Sequence, residues 1–161
     1  MKKYLAITAA LALALIALAR TQLISGDYPQ AARLSDEAKR LGAGDPLLTA
    51  RADAARAQLL SLQSRHADAE RIVRAAMQTV PERRSIADDL VRLDLQMQLA
   101  HARWGSGDTR GAIAVLDAAV LSAQGLGADG LPALAELLGQ RGYAETRLFR
   151  FEEAGNDLHR A

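Results

Sequence analysis

A small residue, a second twelve positions later and a third seven after that recur four times along this 161-residue chain. The triplets are Ala19/Ala31/Ala38, Ala57/Ala69/Ala76, Ala100/Ala112/Ala119 and Gly142/Ala154/Ala161, and they start 38, 43 and 42 residues apart. Two helices approach closely only where the side chains between them are small, so the recurrence predicts a recurring pair of helices. The chain is rich in alanine and glycine, and roughly three or four such triplets are expected by chance over about 140 starting points. The weight therefore rests on the regular stepping and on the turn residues that fall in the gaps.

Those gaps are punctuated in the way helix ends require. Gly26-Asp27, Leu41-Gly42-Ala43-Gly44, Ser64-Arg65, Pro81, Gly105-Ser106-Gly107 and Gly125 to Gly130 break the pattern. Asp27 with Gln30 three residues on, Asp45 before Pro46, Ser85 before Asp88, and Asp108 read as N-caps. Helices are predicted from about Tyr28 to Leu41, Leu47 to Gln63, Ala67 to Thr79, Ser85 to Trp104, Asp108 through Val120, Leu131 to Leu148, and Phe151 to the end. With an N-terminal apolar helix, that makes eight segments in four pairs. No strand-like alternation holds anywhere, and leucine and alanine outnumber the β-branched residues.

Bulk properties remove several functions. Twenty basic residues against nineteen acidic ones nearly cancel, which argues against nonspecific nucleic-acid binding, and no nucleic acid is expected as a partner. The absence of cysteine excludes disulfides, thiolate metal sites and cysteine nucleophiles.

The N-terminus predicts a cell-envelope address. Lys2 and Lys3 precede an uncharged run from Tyr4 to Ala19 that ends in the small-x-small pattern Ala17-Leu18-Ala19. This matches a secretory signal, with residues 1–19 as signal or membrane anchor and 20–161 as the helical domain. Two further readings stay open. The helix can run on past Arg20 as an uncleaved anchor, or it can be the packed first helix of the first pair.

Several segments resemble the tetratricopeptide-repeat (TPR) family. Gly26-Asp27-Tyr28-Pro29-Gln30-Ala31 followed by Ala38 is similar to the second half of one repeat. Ala57, Leu60, Ala69, Ala76 and Pro81 resemble a nearly complete copy. Leu99-Ala100, Gly107, Ala112 and Ala119 resemble a third, and Gly142, Ala154 and Ala161 a fourth, with Phe149 at the turn glycine's position. The family's step is 34 residues, so the longer steps here are those of a long-repeat variant. The resemblance implies an all-α, right-handed α-solenoid of three to four stacked helix hairpins after the apolar segment. It also implies protein binding in a concave groove lined by each pair's leading helix.

Carried over by position, that groove takes Gln58, Ser61 and Leu62, then Met97, His101 and Trp104, then Gln140, Tyr143 and Arg147. Met97, His101 and Trp104 share a helical face by spacing alone, as core stripes also do. The clamp with which some family members grip C-terminal peptides needs paired asparagines on leading helices. The only asparagine here, Asn156, lies on a trailing helix.

Signals for chemistry are thin. His66 and Glu70 are four apart but lack a third ligand at compatible spacing, and read as a surface pair. Gly105 to Gly111 is glycine-rich but lacks the Lys-Ser/Thr ending of a phosphate loop. No nucleophile elbow is present. The expectation is a non-catalytic, cofactor-free scaffold that binds a partner peptide or helix at the cell envelope. The alternative is a regulatory or sensor module of a cytoplasmic protein. The last helix, with Phe149, Phe151 and Leu158, is expected to offer a surface for self-association.

Overall fold

The computed structural model describes residues 2–81 and 85–161. Eight α-helices follow one another: α1 (Lys2–Ser25), α2 (Tyr28–Leu41), α3 (Pro46–Leu62), α4 (His66–Thr79), α5 (Ile86–Gly105), α6 (Thr109–Gly125), α7 (Leu131–Arg147) and α8 (Phe151–Arg160). No strand occurs among the described residues. The predicted N-caps hold: Asp27 accepts from the Gln30 amide at 3.1 Å, Asp45 from Leu47 at 2.9 Å, Ser85 from Asp88 at 3.2 Å, and Asp108 from Gly111 at 2.9 Å. Gly127–Gly130 forms a 3-10 turn, held down by Leu126 against the core.

The helices form two compact units, one running through Val80 and the other starting at Pro81. Each contains two hairpins built alike. In the first, α1 packs on α2, α2 on α3 and α3 on α4, and the leading helices α1 and α3 also touch. The second repeats that order with α5, α6, α7 and α8, and α5 touches α7. The first core is made of patches in which Ile16 meets Ala38, Ala52 and Ala55, and Leu23 meets Ala31 and Leu59. The second gathers Leu93, Met97, Leu116, Val120, Leu137 and Leu138 around Ala100, Ala112, Ala119 and Ala123.

Every triplet member except Ala161 is buried, as close helix contacts demand. Gly142 shows how close they are. A Cβ there would lie 3.0 Å from Leu158 Cγ and 3.1 Å from the Ala154 carbonyl oxygen.

Seven residues after the first member of each triplet, the backbone turns into the left-handed region. This happens at Gly26 (φ 81°), Ser64 (φ 59°), Gly107 (φ 91°) and Phe149 (φ 60°). The following amide donates to the carbonyl five residues back in all four turns: Asp27 to Gln22 at 3.0 Å, Arg65 to Leu60 at 2.8 Å, Asp108 to Arg103 at 2.9 Å, and Arg150 to Glu145 at 3.1 Å. This is one helix-ending motif used four times. Phe149 therefore makes the turn without glycine, and the backbone bonds hold it there against a steric cost of about 1–2 kcal/mol.

Two substitutions test this geometry by thermal or urea unfolding. Ser64→Gly relieves the left-handed strain at an exposed site and is expected to stabilise the protein by about 1 kcal/mol. Gly142→Ala is expected to destabilise it by about 1–3 kcal/mol, because the new methyl meets backbone on α8. A destabilised Ser64→Gly or a neutral Gly142→Ala would contradict the packing described.

Candidate functional site

The residues carried over from the resemblance fall in both units. In the first, Gln58 is half-buried and Leu62 exposed on α3, with Ser61 half-buried beside them. In the second, α5 and α7 lie side by side and bring six candidates to two neighbouring helices.

Met97 is 9% exposed and belongs to the core, where it packs with Leu93, Leu137 and Leu138. It supports the surface from beneath. His101 is half-buried one turn on. Trp104 is half-buried as well, with one side packed against the core. The Tyr143 ring of α7 meets it edge-on, at a centroid separation of 4.8 Å and an interplanar angle of 73°. That geometry directs the positive ring edge at the negative face and contributes about 0.5–1.5 kcal/mol beyond area burial.

Tyr143 is nonetheless 52% exposed, so the pair is anchored on the Trp104 side and open on the other. Gln140 is half-buried and Arg147 exposed, three residues before and four after Tyr143 on the same helix. The result is an aromatic step flanked by an amide, an imidazole and a guanidinium. Such groups donate hydrogen bonds and stack on planar partners.

A polar pin behind this surface had no legible sequence signal. Arg141 of α7 binds the buried Asp157 of α8 through two nitrogens, with Nη2 to Oδ1 at 2.7 Å, and reaches Asp117 of α6 through Nη1 at 2.8 Å. The partners lie 16 and 24 residues away, beyond any local pattern. The hydrogen bonds that it donates to Asp157 raise the guanidinium's proton affinity above its ordinary value.

Glu145, one turn beyond Arg141, is buried, and its Oε2 has no hydrogen-bond partner among the described residues. Its carboxyl is pushed above the usual carboxylate range, first by desolvation and then by the charge of Asp157. In the first unit, Lys39 of α2 pairs with Asp53 of α3 at 2.7 Å.

The other sequence candidates resolve into local structure. Glu70 binds Arg74 one turn on, at 2.7 Å, and Asp68 sits between Arg65 and Arg71. No three potential metal-binding side chains come together among the described residues. Asp108 takes up the Gly111 amide of the glycine-rich loop as a cap. No family model matches the chain, and no curated protein matches its sequence.

Glu145 gives a pH test. A carboxyl whose folded pKa is raised binds its proton more tightly in the native state, so native stability falls as pH rises from the ordinary Glu range through the raised value. Glu145→Gln removes that loss. The variant is expected to melt higher than wild type at pH 7, with the gap closing as pH falls below the ordinary Glu range. A variant less stable than wild type at pH 7 would show that the carboxylate is well accommodated.

Proposed function

We propose that the chain is a non-catalytic protein-binding scaffold, a degenerate TPR-like right-handed solenoid that holds a partner peptide or helix on its leading helices. The observation that carries the reading is the Trp104–Tyr143 step across α5 and α7, packed on one side and open on the other. Tryptophan, tyrosine and arginine dominate binding hot spots, because they offer large, rigid contact area with a polar handle. His101, Gln140 and Arg147 would orient the guest on the second unit, and Gln58 and Leu62 of α3 are the candidates of the first unit by itself. The four like hairpin turns and the buried triplets support the family reading.

The N-terminal apolar helix supports an envelope address, with the scaffold serving a complex at the membrane. α1 includes a stretch, Ala6–Ser25, long and apolar enough to cross a bilayer. Its packing on α2 and α3 favours the second reading, a cytoplasmic regulatory module in which α1 is a core helix. A C-terminal reporter active only outside the cytoplasm separates the two.

Binding is tested by placing a photo-crosslinking side chain at Tyr143 or, as a control, at exposed Gln124 on α6. A partner captured from Tyr143 and not from Gln124 is the expected result. Tyr143→Ala should then weaken binding of that partner by about 2 kcal/mol, about thirtyfold in Kd. Equal capture from both positions, or unchanged affinity, would remove the proposal. Self-association through Phe149, Phe151 and Leu158 of the last hairpin belongs to the same reading, and light scattering of the full chain measures it. The three side chains are exposed, and the two phenyl rings meet edge-on at 6.0 Å.

A further inference from the structure

α1 has the length and composition of a membrane span, yet its second half belongs to the first unit's core. Ala12, Ile16, Ala19 and Leu23 form one stripe along the helix, and all four are buried. Ile16 sits among Ala38, Ala52 and Ala55, and Leu23 against Ala31 and Leu59. The helix runs unbroken through Ala19 and Arg20. Cleavage after Ala19 would remove three of the four stripe residues and leave the α2 and α3 surfaces they cover open to water.

The packed half cannot enter hydrocarbon either. It lies along α2, which exposes Arg33, Asp36, Lys39 and Arg40, and charges of this kind are excluded from the bilayer core. Ahead of the stripe α1 contributes Lys2 to Leu11, about 15 Å of helix against a hydrocarbon core of about 30 Å. A packed α1 is therefore too short to span.

What α1 offers outward is aliphatic. Tyr4, Ile7, Leu11, Leu13 and Leu18 are exposed, Ile7 at 65%, and no charged residue occurs from Tyr4 to Ala19. Lys2 and Lys3 stand at the end of this run. A wide apolar surface with adjoining cationic residues is complementary to acyl chains beneath anionic headgroups.

We propose that α1 is retained and lies in the plane of an anionic bilayer surface. Its buried stripe stays on α2 and α3, and its outward face sits among the acyl chains, so the first unit rides on the membrane without crossing it. This rests on the reading above in which α1 is a packed core helix, and not on the envelope address or the Trp104–Tyr143 surface. It concerns how α1 meets lipid, whereas the reporter experiment concerns the address.

The chain has no cysteine, so a single introduced one is a unique label. Full-length Lys3→Cys and Ala43→Cys proteins are added to sealed vesicles of phosphatidylglycerol and phosphatidylethanolamine, then treated with a membrane-impermeant maleimide. Flotation with the vesicles and labelling of both positions from outside are expected. Ile7→Asp with Leu11→Asp should lower vesicle partitioning by about tenfold or more with helix content unchanged, since both side chains are exposed. Mass spectrometry of the chain recovered from cells should find α1 intact.

A protected Lys3→Cys with a labelled Ala43→Cys would mean a span, and a mature chain starting at Arg20 would mean a cleaved signal. Unchanged partitioning of the double variant, or a soluble oligomer that ignores vesicles, would mean that lipid is not the occupant. Each of these overturns the proposal.

Discussion

The structure depends on a fixed distance along each leading helix between a close contact and a turn. A small residue at Ala19, Ala57, Ala100 or Gly142 lets the partner helix approach. Seven residues later the chain reverses through a left-handed residue, and five residues beyond that the partner supplies its own small residue at Ala31, Ala69, Ala112 or Ala154. Seven residues are about two helical turns, so contact face and reversal keep the same phase in every hairpin. A bulky side chain at the contact would push the helices apart while the turn bonds held them together. The two requirements are met jointly or not at all.

Polar groups pin what the small residues bring close. Arg141 joins three helices in the second unit through Asp157 and Asp117, and Lys39 joins α2 to α3 in the first through Asp53. The Arg141–Asp157 pair is largely out of water, so losing Arg141 would leave the buried Asp157 carboxylate without that counter-charge. Glu145 Oε2, without a hydrogen-bond partner among the described residues, stands one turn away on the same helix. The Trp104–Tyr143 step has its Trp104 side packed against the core that Met97 helps to form.

Much of this was legible in the sequence because it is local. Caps at Asp27, Asp45, Ser85 and Asp108 act within three residues, and apolar periodicity placed most helix ends to within a residue or two, although α6 runs on past Val120 to Gly125. The triplets were legible because small size is a property of the residue itself. The left-handed turns at Ser64 and Phe149 were not, since neither residue type favours that conformation and only the surrounding hydrogen bonds impose it. The Arg141 pin was hidden for a related reason: its partners lie on other helices, at separations set by packing. The candidate surface was legible as a helical face but not in its depth. Spacing puts Met97, His101 and Trp104 on one side of α5, yet only the packing of α7 decides that Met97 is core while Tyr143 stands open.

The claim on which the account turns is that alanine-sized contacts, recurring at one position in four hairpins, set the helix spacing. Replacing Ala31, Ala69, Ala112 and Ala154 singly with leucine, with exposed Ala114→Leu and Ala118→Leu as controls, and measuring urea unfolding of each tests it most directly. The account predicts a loss of about 1–3 kcal/mol or more at all four buried positions and little change at the controls. Leucine tolerated at the four positions as well as at the controls would contradict it.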